Sequence, residues 1–169
     1  MMSGDSRPAN EQARVIGRAL ASSGQSVSVA ESSAGGLVSA ALVSVPGASA
    51  WFLGGVVPYS SVTRESWLGI TDLPEGAVSG AMAARLAVAV RARTGSTWGV
   101  GETGIAGPQS GRRSTKLAGQ AFVAVDGPSG TRVEEVRTSV DDRSANQEAF
   151  AEAALALLAL AIGQGSVDQ

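Results

Sequence analysis

Apolar residues recur at helical spacing over Asn10 to Ser23, where Ala13, Ile16 and Leu20 share a face and Gly24 marks the exit. Gln25 to Ala30 alternates Val with polar residues and predicts a strand. The short polar and glycine-rich segment Glu31 to Gly36 follows at once, and Leu37 to Val45 returns to a helical pattern that Pro46-Gly47 ends. Phe52 to Tyr59 is apolar with Gly and Pro inside, which predicts a bent or edge strand. Ser61 to Leu68 is a short helix closed by Gly69. Ser79 is placed to cap a helix running through Met82, Leu86 and Val90 to Thr94. Thr97 to Glu102 reads as a strand, and Thr103 to Ala118 as a long loop. Gly119 to Asp126 and Thr131 to Thr138 form a hairpin around Gly127 to Gly130. Asp142 to Ile162 is a terminal helix with a stripe of Phe150, Ala154, Leu157, Leu158 and Ala161.

Strands separated by helices pair in parallel, and the late hairpin adds one antiparallel strand. The expected fold class is α/β: a three-layer α/β/α sandwich around a mixed, mostly parallel sheet of about five strands. The 169 residues suit one domain spanning 1–169, with its core at about 10–162. Aromatics make up only 4 % of the chain, so Trp51, Trp67 and Trp98 are read as packing residues. The polar start and the short apolar run Ala153 to Ile162 lead to the expectation of a soluble cytoplasmic protein with no membrane partner.

The chain has no His and no Cys, which removes His-based triads, thiol nucleophiles and Cys-ligated metals. Hydrolysis would have to rest on Ser, Thr or Asp. No metal and no cofactor are expected. Thirteen basic against 15 acidic residues leave a net charge of −2, without the basic excess of a nucleic-acid surface.

Three segments end strands and would converge on one edge of the sheet: Glu31 to Gly36, Tyr59-Ser60-Ser61, and Gly101 to Pro108. Glu31-Ser32-Ser33-Ala34-Gly35-Gly36 is either a tight turn with Ser32 or Ser33 as a cap, or a close-approach site for an anion. Arg112, Arg113 and Lys116, the only lysine, form a basic cluster that is either solvated charge or a phosphate grip.

Ala30 to Gly36, Val45 to Ser49, Tyr59-Ser60, Leu68-Gly69, Gly76 to Ser79, Thr103 to Pro108 and Asp142-Arg143, in this order, resemble the C-terminal domain of the competence/damage-inducible protein CinA. The resemblance runs from about Asn10 to Ile162. It implies a homo-oligomer, dimer or higher, and relates the chain to nicotinamide mononucleotide deamidases. These release ammonia and form nicotinate mononucleotide. The family motif E-S-C-T-G-G puts its serine on Ser32, and its tyrosine falls on Tyr59. Two family lysines fall on Arg64 and Lys116, and a Val-Arg pair on Asn146 and Gln147.

The catalytic set so implied is Ser32, Tyr59 and Arg64. Glu31, Ser33, Gly35, Gly36, Thr103, Gly104, Ala106, Gly107 and Lys116 would bind the nucleotide. Backbone N–H groups from Ser33 to Gly36 would hold the oxyanion. Arginine does not deprotonate near neutral pH, so Arg64 cannot serve as the base. A second expectation follows: a nucleotide-binding or regulatory domain that kept the fold and lost catalysis.

Overall fold

The computed structural model describes residues 8–108 and 116–165. The elements are α1 (Pro8–Ser23), β1 (Val27–Glu31), α2 (Leu37–Val43), a 3-10 turn (Ala48–Ala50), β2 (Phe52–Val56), α3 (Ser61–Leu68), α4 (Gly80–Thr94), β3 (Trp98–Ile105), β4 (Gln120–Gly127), β5 (Gly130–Arg137) and α5 (Arg143–Gly165). Local chemistry sets several of these boundaries. Ser79 accepts from the Met82 N–H at 3.1 Å to start α4. Ser60 and Thr63 form a capping box for α3, and Gly69 and Gly95 end α3 and α4 in the left-handed region.

The sheet order is β2-β1-β3-β4-β5. β1 pairs in parallel with β2 and β3, whereas β3–β4 and β4–β5 are antiparallel. The expectation of a mostly parallel sheet is therefore corrected. Parallel strands need a crossover connection, whereas β3 and β4 pair antiparallel along their whole register. β3 is also longer than expected: Thr103, Gly104 and Ile105 pair with Phe122, Ala121 and Gln120 instead of opening the loop. Gly104 makes this pairing feasible, because a Cβ there would collide with Ala121.

Helices cover both faces. Val27, Val29, Val100, Ala121, Val123 and Val125 meet α1, α2 and α5 in one core that includes Ile16, Leu20, Trp51, Phe150, Leu155 and Leu158. Strand alternation turns Ala30 to the other side, against Met82, Leu86 and Val90 of α4. α4 lies directly on β3: a Cβ at Gly99 or Gly101 would strike the backbone of Ala87 or Ala83. Trp51 and Trp98 are buried, but Trp67 is 49 % exposed on α3, contrary to its reading as a packing residue. Among the described residues, α5 is the one helix long and apolar enough to cross a membrane by length and composition. The expected stripe from Phe150 to Ala161 is buried in the core.

Candidate functional site

β1 and β3 run side by side, with Glu31 opposite Glu102 in the register, and both carboxylates are fully buried. They have different tasks. Glu31 accepts from the N–H groups of Val38 (3.0 Å) and Ser39 (2.9 Å) and from the Ser39 hydroxyl (2.7 Å), which fastens the start of α2. Glu102 holds the turn itself. Its Oε2 accepts from the N–H groups of Ser32 and Ala34, each at 2.9 Å, and its Oε1 accepts from the Ser33 hydroxyl. Burial raises the Glu102 pKa to about 7 against the opposing pull of these hydrogen bonds, and the charge of Glu31 adds to the rise.

Gly35 and Gly36 adopt φ values of 68° and 102°, a region that favours glycine, and so let the turn lead into α2. The Ser32 N–H is held twice, by the carbonyl (3.1 Å) and the carboxylate of Glu102. The Ser32 hydroxyl has no hydrogen-bond partner among the described residues. The Gly35 N–H is spent on the Ser32 carbonyl (3.2 Å) and the Ala34 N–H on Glu102. Of the segment expected to hold an oxyanion, the N–H groups of Ser33 and Gly36 are unused among the described residues.

A cleft of about 240 Å³ opens beside the turn, lined by Ser33, Tyr59, Gly104 to Pro108 and Arg143. Arg143, at the start of α5, donates to the Gly107 carbonyl (2.9 Å) and to the Tyr59 hydroxyl (3.1 Å). It joins the end of the β2 segment to the glycine loop. Two neighbours on α5 support the same place. Gln147 donates to the Ser33 carbonyl at 3.0 Å, and buried Asn146 donates to the Ala106 carbonyl at 2.9 Å. The positions that carry the family's Val-Arg pair thus brace the turn and the loop here.

The other expected site residues fall outside the lining of this cleft. The Thr103 hydroxyl donates to the Ala77 carbonyl at 2.7 Å. Lys116 donates to the Val78 carbonyl and lies 4.7 Å from the centre of the Phe122 ring, so both residues fasten the segment before α4. Arg64 is buried on α3 and pairs with Asp72 at 3.6 Å; it makes no hydrogen bond to Ser32 or Tyr59. Arg112 and Arg113 lie outside the described residues. No cluster of three or more carboxylates stands ready to hold a metal among the described residues.

Glu102 and Arg143 were not among the site residues expected from sequence. Glu102 lies inside the candidate segment Gly101 to Pro108, but sequence gives it no role until Ser32 and Ser33 are seen against it. Arg143 does belong to the motif pair Asp142-Arg143, and that was the available signal.

A family model of the CinA C-terminal domain matches residues 9–162. The chain is 39 % identical over 159 residues to a CinA-like protein of Nostoc sp., covering 86 % of this chain and 37 % of that one. A CinA-like protein of Synechococcus sp. is 40 % identical over 121 residues, covering 70 % of this chain and 28 % of its own length. The chain therefore spans only about a third of these curated relatives. The crystal structure of competence/damage inducible protein CihA from Agrobacterium tumefaciens matches with a TM-score of 0.85 at 32 % identity, covering 96 % of this chain and 99 % of that one.

Proposed function

The chain belongs to the CinA C-terminal domain family, and from that membership we propose that it is a serine amidohydrolase acting on nicotinamide mononucleotide or a related nucleotide amide. The observation that carries this reading is the state of Ser32: its backbone is held by Glu102 on β3, while its hydroxyl is engaged by no described residue. A nucleophile needs a fixed position and a free lone pair.

In the proposed reaction Ser32 Oγ bonds to the carboxamide carbon and loses its proton. The N–H groups of Ser33 and Gly36 take the developing negative charge on oxygen. The C–N bond breaks, and the nitrogen leaves as ammonia with the proton gained. Water then cleaves the acyl-serine, giving the acid and restoring the hydroxyl. Tyr59 stands in the proton path: its oxygen accepts from Arg143, so its own hydrogen is left to donate. Arg64 keeps its proton throughout and contributes charge alone. On the same reading the protein is cytoplasmic, needs no cofactor and works as a homo-oligomer.

One observation favours a second reading. The ion pair of Arg64 is with Asp72, and it reaches neither Ser32 nor Tyr59, which suits a nucleotide-binding domain that has lost its base. Ammonia release and calorimetry with nicotinamide mononucleotide separate the two. Turnover by the unmodified protein supports the hydrolase. Tight binding without turnover, with turnover gained in Arg64→Lys, supports the binding domain.

A further inference from the structure

We propose that Ser33, oriented by Glu102, distinguishes a neutral carboxamide from its carboxylate product in the cleft, and that ionisation of Glu102 sets which of the two is preferred. The inference rests on the amidohydrolase reading above and concerns the Ser33 hydroxyl and the Glu102 Oε1 that it meets, two atoms to which the reaction scheme gives no step.

A serine hydroxyl has one proton to give. The Ser33 proton points at Glu102 Oε1, while the residue itself lines the cleft with Tyr59 and Arg143. Toward the cleft, then, Ser33 Oγ presents lone pairs only. That suits the NH2 of a carboxamide, which offers donors. It opposes a carboxylate, which offers acceptors alone.

The arrangement is tightly fixed. Glu102 Oε2 is occupied by the Ser32 and Ala34 N–H groups, so the carboxylate cannot turn away. Gly104 supplies the room on the other side, because a Cβ there would come within 2.8 Å of Ser33 Oγ.

Protonation reverses the outward face of Ser33. Oε2 already faces two donors, so a proton on Glu102 resides on Oε1 and is given to Ser33 Oγ. The serine proton then swings into the cleft, where it favours a carboxylate. Burial places this change near neutral pH, with a Glu102 pKa of about 7. Among the described residues, no cation is paired with Glu102. β1 contributes Glu31, also acidic; the turn contributes neutral Ser32, Ser33 and Ala34. β4 contributes its register partner Val123, and α5 reaches the turn through neutral Gln147. Arg143 attracts anions in both states and so does not produce the pH dependence.

The test is calorimetry with nicotinamide mononucleotide and nicotinate mononucleotide at pH 6 and pH 8, in Ser32→Ala protein to stop turnover. The phosphate is common to both ligands and cancels in the ratio of their affinities. The amide-to-acid ratio is expected to rise about tenfold from pH 6 to pH 8, the size of one well-placed hydrogen bond. Adding Glu102→Gln, whose amide donates to Ser33 Oγ as the protonated acid would, should hold the ratio at its pH 6 value at both pH values. Adding Ser33→Ala, which leaves the Glu102 clamp on the backbone intact, should abolish the pH dependence. A ratio that is equal at both pH values, or a pH dependence that survives either added substitution, overturns the inference. If the unmodified protein still releases ammonia, the amidohydrolase reading stands without it. Binding of neither ligand sinks both.

Discussion

Two of the buried polar networks along β1 and the turn that follows it are built differently. In the first, the Ser28 hydroxyl on β1 meets Thr94 Oγ1 at 2.8 Å and Ser96 Oγ at 2.7 Å, and Ser96 donates to the Trp98 carbonyl at 2.8 Å. Every member is neutral, and the network fastens the end of α4 to the sheet. In the second, Glu102, a buried carboxylate paired with no cation among the described residues, holds the Ser32 to Ala34 turn beside an open cleft. Neutral hydroxyls fasten an element at little cost. A buried carboxylate is held against its desolvation, and that cost marks the place where position and protonation matter for function.

Substitutions can break or sharpen this contrast. The largest effect on stability is expected for Glu102→Ala. It leaves two N–H groups and the Ser33 hydroxyl without their acceptor, for a loss of about 3–4 kcal/mol in denaturant unfolding. A loss no larger than that of Ser28→Ala would erase the distinction.

Next is the pH dependence. The Glu102 pKa is raised from 4.5 to about 7, so the folded state binds its proton more tightly than the unfolded chain does. Its contribution to stability is fully present below pH 4.5 and is lost as pH rises through about 7, by about 3 kcal/mol in all. Unfolding curves of Glu102→Gln should lose this slope, whereas those of Ser28→Ala should keep it.

Ser28→Ala itself should cost about 1–2 kcal/mol at every pH, since only neutral hydrogen bonds are lost. The smallest effect is expected at Ser79, the cap of α4, where Ser79→Ala should cost about 1 kcal/mol by the same measurement.

The same contrast explains what was legible in the sequence. The order of elements was readable because period and punctuation are local: Ser79, Gly69 and Gly95 mark their own helix ends, and Phe150 to Ala161 repeats at helical spacing. The extension of β3 through Ile105 was not, because Gly104 reads as a loop residue until Ala121 packs against it. The neighbourhood of the turn was legible in part. Ser33, Tyr59, Gly104, Ala106 and Gly107 gather in one cleft, but Arg143 reaches Tyr59 from the far end of the chain. Arg64 lies five residues after Tyr59 in sequence, yet its ion pair is with Asp72. Spacing along a chain does not show which way a helix turns its side chains.

The most direct test of the account is ammonia release from nicotinamide mononucleotide by the unmodified protein and by Ser32→Ala, with melting curves to show that both are folded. Release by the former and a loss of at least about 10³-fold in the latter is the expected result, the scale of removing a nucleophile. Equal rates in the two proteins would contradict the assignment of Ser32 as the nucleophile.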